Sequence, residues 1–474
     1  MDKEYIADFI KEDEINQLLQ ETADAPREEV ERIIAKASEA KGLDPREVAT
    51  LIQLKDPELL DKMFKVALEI KKKIYGKRLV MFAPLYISNH CVNSCVYCGY
   101  HRTSGIKRKK LSMEEIKKEV EALEAMGHKR IALELGEHPK ENPIEYVLEA
   151  MDTIYKTMKD NGAIRRINVN IAATTVENYR KLKEAGIGTY ILFQETFHRP
   201  TYAALHPAGP KRDYDYHTTA MDRAMEGGID DVGMGVLFGL YDFKFEVVAL
   251  MFAALHLEEK FGVGPHTISV PRLRAAEDID LNKFPYAVND EDFKKIVATI
   301  RLAVPYTGMI LSTREYADYR DGIIDLGISQ ISAGSCTGVG GYWDFLEAQK
   351  RGETYCDEST AQFEVADRRS TNEVLRSVCE AGYIPSYCTA CYRQGRTGDR
   401  FMSLAKTGEI QNCCHPNALL TFKEYLMDYA DEETKKIGEK VIADNIDVIT
   451  NPKVKAMTIE ELKKIESGVR DLYF

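Results

Sequence analysis

Three thiols fall within eight residues, Cys91-Val-Asn-Ser-Cys95-Val-Tyr-Cys98. Three soft thiolates this close can face one iron–sulfur cube and hold three of its four irons, leaving the fourth open. An open metal position is where chemistry takes place. The alternative is a zinc site, which would want a fourth local ligand; His90 and His101 are near in sequence. A second set stands in the tail: Cys388-Thr-Ala-Cys391, then Cys414 after 22 intervening residues. It reads as zinc, completed by His415 or Cys413, or as a second cube with an open iron. Cys336, Cys356, Cys379 and Cys413 have no convincing partners and read as buried or incidental thiols.

Some framework must bring such residues together. At 474 residues the chain is too long for one ordinary core, so one large domain with appendages is expected. No run approaches 18 uninterrupted apolar residues, so no membrane span is expected. The net charge of −12 argues against a nucleic-acid partner. The start, MDKEYIADFIKEDE, is acidic and helical and lacks the regions of a signal peptide, which points to the cytoplasm. Ten cysteines in such a chain suit metal or redox chemistry better than disulfides.

Residues 1–77 read as a helical extension. Pro26 opens one helix, and Asp44-Pro45 and Asp56-Pro57 open two more by joining a side-chain cap to a preset φ. From residue 79, short β-rich runs alternate with amphipathic helices. The runs 79–87, 130–135, 167–171, 189–193, 231–237, 266–270, 309–312 and 330–333 predict eight strands. Ser112-Met-Glu-Glu115 is a capping box, and 175–185 and 290–304 are further helices. This α/β pattern predicts a (β/α)8 barrel over residues 78–342, closed or nearly so. The alternation lapses over 343–474, which reads as a mainly helical C-terminal extension carrying the second thiol set. In such barrels the working residues lie at the carboxyl ends of strands, and the three-cysteine loop directly follows the first strand.

The first motif, with Tyr97 before its last cysteine, resembles that of the radical S-adenosylmethionine (radical SAM) superfamily. The resemblance implies that Cys91, Cys95 and Cys98 hold a 4Fe-4S cluster whose open iron is chelated by SAM, with Tyr97 near the adenine. Leu135-Gly136-Glu137, after the second strand, resembles the element that binds the SAM amino group; glycine permits close backbone approach and a carboxylate suits an ammonium. Gly235-Val-Leu-Phe-Gly239, ending the fifth strand, resembles the adenine-contact element; its glycines either let a base lie on the backbone or only relieve packing. Other strand ends are read from the residues themselves. Asn168 and Asn170 share a face of the third strand and either line the barrel or cap its interior. Glu195, ending the fourth, bonds a ribose hydroxyl or pairs structurally. Arg272 and Arg274 follow the sixth strand and Arg314 the seventh; each holds a substrate carboxylate or pairs with a glutamate. The glycine-rich run 337–341 lacks the lysine and helix context of a P-loop.

The two cysteine sets together, with Tyr-Arg-Gln-Gly-Arg-Thr-Gly after Cys391, resemble the FeFe-hydrogenase maturases that are radical SAM tyrosine lyases. The likeness spans essentially the whole chain. Its specific part is the second set, which the related thiazole-pathway 2-iminoacetate synthases lack. The resemblance implies cleavage of L-tyrosine to p-cresol and dehydroglycine, with Arg314 and Arg272 or Arg274 holding the carboxylate. It implies an auxiliary 4Fe-4S cluster with an extra iron on Cys388, Cys391 and Cys414, at the other end of the barrel. There dehydroglycine becomes carbon monoxide and cyanide for the hydrogenase H-cluster. A lone histidine beside apolar residues is ordinarily structural, but the family uses a barrel histidine on the extra iron, and His266 matches it. A ferredoxin or flavodoxin reductant and other hydrogenase maturases are the implied partners. The main alternative is 2-iminoacetate synthase of thiazole biosynthesis, with zinc in the tail. A non-catalytic iron–sulfur scaffold would leave the barrel-end glycines and arginines unexplained. An RNA-modifying radical SAM enzyme is disfavoured by the acidic balance.

Overall fold

The caps read from the first 77 residues form where they stand. In the computed structural model, which describes residues 5–276, 278–351 and 359–474, α1 (Glu12–Glu21) and α2 (Arg27–Ala37) lead into α3 (Pro45–Ile52) and α4 (Pro57–Tyr75). Asp44 accepts the Glu47 N–H, and the Glu47 side chain accepts the Asp44 N–H in return. Asp56 accepts from the Glu58 and Leu59 N–H groups, and Gly76 ends α4 at φ +63°. The buried faces of α3 and α4 pack on the helices Phe243–Phe261 and Asp290–Ala303 of the barrel's outer ring.

Eight parallel strands follow: β1 (Arg78–Ser88), β2 (Arg130–Leu135), β3 (Arg166–Asn170), β4 (Tyr190–Glu195), β5 (Val232–Val236), β6 (Thr267–Ser269), β7 (Gly308–Leu311) and β8 (Gln330–Ser332). Each lies within two residues of its expected bounds. The ring is closed: β1 pairs with β8, Val80 opposite Gln330, and with β2, Leu85 opposite Leu133. The extension after β8 is mainly helical, as its pattern predicts. No described helix is long and apolar enough to cross a membrane. Cys379 is a buried thiol, Cys336 is disulfide-bonded rather than incidental, and Cys356 lies outside the described residues.

A further strand escapes the pattern. β9 (Ile384–Ser386) lies parallel to the start of β1, Arg78 opposite Ile384 and Val80 opposite Ser386. Its three residues include a proline and carry no period. The cause lies in β1, whose pairing with β2 begins only at Ala83, so that its first residues offer an open edge. β9 thereby delivers the second thiol set to the amino end of the barrel.

Inside the barrel, β3 stacks Arg166, Asn168 and Asn170 on one face by its period of two. Asn168 Oδ1 accepts from Arg166 Nε at 2.7 Å and from the Thr189 N–H at 3.1 Å, so Asn168 ties off the interior. Asn170 opens onto the upper cavity. Outside the strands, fully buried Arg301 clamps the entries to β7 and β8. It donates to the carbonyls of Pro305, Thr307 and Gly327 at 2.6–3.0 Å. Arg301→Met strands three buried acceptors; we expect a loss of about 3 kcal/mol, read as a shifted urea midpoint. An unchanged midpoint would show that the loops hold themselves.

Candidate active site

The upper cavity, about 200 Å³, opens at the carboxyl ends of the strands. Its wall includes Cys91, Cys95 and Cys98. The loop that carries them is held from three sides. Buried Asn89 donates to the Lys107 carbonyl and accepts the Lys109 N–H, both at 2.8 Å. The Val92 N–H donates to the Glu137 carbonyl, and the Ser94 N–H to the Ala208 carbonyl. Asn93 donates to Glu137 Oε2 at 2.6 Å and accepts the Lys211 N–H at 3.0 Å. Gly136 is required by this packing: a Cβ there would lie 2.5 Å from the His90 carbonyl oxygen and 3.1 Å from Cys91 Cβ.

Burial pushes the Cys95 and Cys98 thiols above their ordinary range. Buried thiols grouped in this way suit a metal cluster, which supplies the positive charge that lets them ionise. Cys98 Sγ already accepts from the Tyr100 N–H and from Gln362 Nε2. Among the described residues, no three His, Cys, Asp or Glu side chains converge as ligands of a single ion. Three thiols on one loop fit a cube, with its ligands on separate irons.

Around the thiols stand groups of both charges. Glu195 closes β4 at φ +70°, a strained position for a non-glycine residue, and accepts from Lys211 Nζ at 2.7 Å. Burial opposes the Lys211 ammonium, but Glu195 and Cys95 outweigh it and raise its pKa. Glu137 lines the same wall, raised by burial. Tyr97 also lines the cavity, its hydroxyl 2.8 Å from His206 Nε2. Glu134 is pushed up to about 8 by burial, against the opposing pull of Arg314 and a bond from Asn170. A carboxylate amid the apolar β2 run marked Glu134 in the sequence; Lys211, Asn93 and Gln362 carried no pattern.

The three arginines separate. Arg272 is locked to Glu315 through Nε (3.0 Å) and Nη2 and to Asp290 at 2.8 Å, and it does not line the cavity. That is the structural pairing. Arg274 reaches the rim but is tied to Glu315 at 2.7 Å. Arg314 faces the cavity with its guanidinium 3.4 Å over the Phe363 ring. Among the described residues no carboxylate pairs with it, and burial lowers its pKa. Gly235 does not line the cavity either: its missing Cβ makes room for the Ser269 carbonyl at 2.8 Å and the Phe193 ring at 3.0 Å, which is strand packing.

At the opposite end a smaller cavity, about 40 Å³, is lined by Cys388, Cys391, Cys414 and His266. Cys388 follows β9, Cys391 sits on the short helix Ala390–Arg393, and Cys414 on the helix Gln411–Asp428. Arg78, Arg130 and Arg166, from the first residues of β1, β2 and β3, share the cavity wall. Arg78 Nε, Arg130 Nε, Arg166 Nη1, His266 Nδ1 and Thr389 Oγ1 are buried there without a hydrogen-bond partner. Orphaned cationic donors beside three thiols are the surroundings an anionic thiolate cluster needs. A bond from Cys414 and the charge of Arg396 draw the Cys391 thiol down to about 6, while Cys414 rises in turn. His266 is held neutral by burial and the nearby arginines, with Nε2 2.9 Å from the Tyr392 hydroxyl. The zinc completion fails: His415 is bonded to the Asn445 carbonyl, and neither it nor Cys413 lines this cavity.

Two family models match the chain. The Radical SAM superfamily matches residues 85–252, and the Biotin and Thiamin Synthesis associated domain matches residues 269–384. The 2-iminoacetate synthase of Salmonella typhimurium is 32% identical over 316 residues, 66% of this chain and 81% of that protein. A crystal structure of HydG, a maturase of the [FeFe]-hydrogenase, superposes with a TM-score of 0.95 at 62% identity, covering 99% of this chain and 100% of that one. The chain belongs to the HydG family of radical SAM proteins. The FeFe-hydrogenase maturase HydG from Carboxydothermus hydrogenoformans superposes with a TM-score of 0.81 at 39% identity, over 95% of this chain and 97% of that one. The HydG likeness thus takes in the helical tail with its thiols, whereas the synthase likeness covers two thirds of the chain.

Gly136→Ala tests the upper loop. The added methyl meets backbone, which cannot swing aside, so the cysteine loop must move. We expect iron bound after reconstitution to fall at the upper site while the signal of the lower site persists in paramagnetic resonance spectra. Full iron at both sites would mean the loop tolerates the methyl.

Proposed function

We propose that this protein is a radical SAM tyrosine lyase of FeFe-hydrogenase maturation. In this reading L-tyrosine is cleaved to p-cresol and dehydroglycine, and dehydroglycine is converted to carbon monoxide and cyanide on an iron destined for the H-cluster. The observation that carries the reading is the pairing of two thiol-lined cavities at opposite ends of one barrel, the lower set among arginines that each keep an unpartnered donor.

Cys91, Cys95 and Cys98 would hold the SAM-binding 4Fe-4S cluster, and Cys388, Cys391 and Cys414 the auxiliary one, with His266 as the ligand of the extra iron. When bound, the first cluster and SAM supply the 5′-deoxyadenosyl radical that takes hydrogen from the tyrosine amino group. The chain's own residues bind and orient. Arg314 lacks a protein carboxylate and offers its fork to that of tyrosine. Glu137 takes an ammonium, and the Glu195–Lys211 pair and Tyr97 border the remainder of SAM. Phe363 and Leu237 help wall the cavity from water, which holds the reacting atoms in one geometry. His266, neutral and buried, keeps a nitrogen lone pair available as a ligand. In this scheme residues 1–77 are a supporting layer, 78–342 the catalytic barrel and 343–474 the auxiliary-site extension. A ferredoxin or flavodoxin would be the reductant, and other maturases would take up the product.

Anaerobic turnover with SAM, dithionite and tyrosine, assaying p-cresol and carbon monoxide together, tests the reading. Both products are expected. p-Cresol alone from an iron-loaded sample would move the protein to the 2-iminoacetate synthase activity. Cys391→Ser should leave p-cresol within a few-fold of the parent and abolish carbon monoxide; loss of p-cresol first would refute the two-site division. Arg314→Ala should raise the KM for tyrosine about 100-fold, the worth of a charge-assisted hydrogen-bonded pair. An unchanged KM places the carboxylate elsewhere.

A further inference from the structure

One carboxyl group on the wall of the upper cavity has no task so far. Glu195 is paired with Lys211, and Glu137 accepts from Asn93. Glu134 faces the same cavity. It stands two residues past Ala132 on β2, and Ala132 also lines the wall, so both side chains leave the inner face of the strand. Its partner in register on β3 is Asn170, whose side chain bonds it. Among the described residues no cation forms an ion pair with Glu134. The ionisable groups that face it are Arg314 from the end of β7, Tyr86 of β1 and Tyr100 of the cysteine loop, all on the same wall. Arg314 is the group offered to the substrate carboxylate. An α-amino acid carries its amino group on the carbon next to that carboxylate, so a carboxyl group that shares the cavity with Arg314 and feels its charge is placed for the amino group. A tyrosine from neutral water arrives with an ammonium group. Loss of a hydrogen atom from that nitrogen needs a lone pair there, so one proton has to leave first. The other candidates on the wall are engaged: Glu195 by Lys211, Glu137 by Asn93, and His217 by the Phe193 carbonyl.

We propose that Glu134, bonded by Asn170 and sharing the wall with Arg314, is the proton acceptor for the amino group of the substrate amino acid. The proposal rests on the reading of this cavity as the site of a tyrosine lyase. In the step, a Glu134 carboxylate oxygen forms an O–H bond as one N–H bond of the ammonium breaks. The electron pair stays on nitrogen, and nothing is oxidised or reduced. An enclosed site favours the neutral acid and amine over a carboxylate and an ammonium. Burial of Glu134, which pushes it up to about 8, accords with the role, because an acceptor works best when it titrates near the working pH.

The variant is Glu134→Gln, whose amide has the shape of the neutral acid and keeps a bond to Asn170 but takes no proton; Glu134→Asp, which keeps a carboxyl group, is its companion. Tyrosine is titrated calorimetrically at pH 7 into the iron-loaded, SAM-bound, unreduced protein, in buffers that differ in their heat of ionisation. Glu134 is mostly protonated before binding, so the parent should release about one proton per tyrosine bound, and Glu134→Gln none. In dithionite-driven turnover Glu134→Gln should lower kcat for p-cresol about 100-fold with KM within a few-fold, and Glu134→Asp should recover roughly tenfold of that loss. Equal proton release by parent and Glu134→Gln, or none by the parent, overturns the assignment. So does weaker binding to Glu134→Gln than to the parent of 3-(4-hydroxyphenyl)propanoate, which lacks the amino group, since that would put Glu134 on the phenol or in the packing of the wall. Absence of p-cresol from the parent overturns the lyase reading instead, and with it the need for an acceptor here.

Discussion

β1 runs through the barrel from end to end, and both thiol-lined cavities hang from it. Its eleven residues, at about 3.3 Å each, make a rod of roughly 35 Å. At its carboxyl end Ser88 passes directly into the loop of Cys91, Cys95 and Cys98. At its amino end Arg78 lines the lower cavity, and the exposed edge beside it recruits β9, whose next residues carry Cys388 and Cys391. Pairing with β8 and β2 fixes the register of the rod, and so fixes the two cavities relative to each other. The chain closes a barrel and holds two thiol-lined ends apart with the same hydrogen bonds.

The lower end is expensive as it stands. Arg78, Arg130 and Arg166 bury three guanidinium groups near one another, and each leaves a donor without a partner. Asp231 attracts Arg166, and one carboxylate compensates three guanidinium groups only in part. Burying charge in this way costs several kcal/mol, and the anionic cluster proposed for this end would offset it. Binding then becomes part of folding, since a group held by the native chain alone stabilises that chain. The helical tail is anchored by related means: buried Glu424 receives Arg165 in a two-pronged bond and lies 3.5 Å from Lys129. These pairs seat the helix Gln411–Asp428, and with it Cys414, against the underside of the barrel.

Much of this was legible in the sequence because local rules sufficed. The eight strands were bounded by turn residues, and the Asp-Pro and capping-box starts needed no tertiary help. The first cysteine set carried its chemistry in its spacing, and the second left zinc and a second cube open. What was not legible depended on neighbours far along the chain. β9 is a strand only because β1 overhangs β2. Arg272, Arg274 and Arg314 have the same chemistry on paper; Glu315 decides among them by engaging the first two, and it lies one residue past the third. Gly235 looked like a ligand contact, but the pressure on it comes from Ser269 across the sheet. Asn93 and Lys211 matter through a fold-back between loops more than a hundred residues apart, which no local period records.

Glu195 shows how the two kinds of information meet. As a strand-end carboxylate it was open to a ligand or a structural role. It has both attributes: a bond to Lys211, and a left-handed backbone at a bulge where β4 slips against β5. A non-glycine residue held at φ +70° costs of order 1 kcal/mol or more, and a purely structural ion pair could form without it. The bulge turns the carboxylate into the cavity instead of the sheet, and Lys211 then holds it there beside Cys95. The strain is thus tied to aiming a charged group at the cavity, which is what a binding residue requires and a packing residue does not.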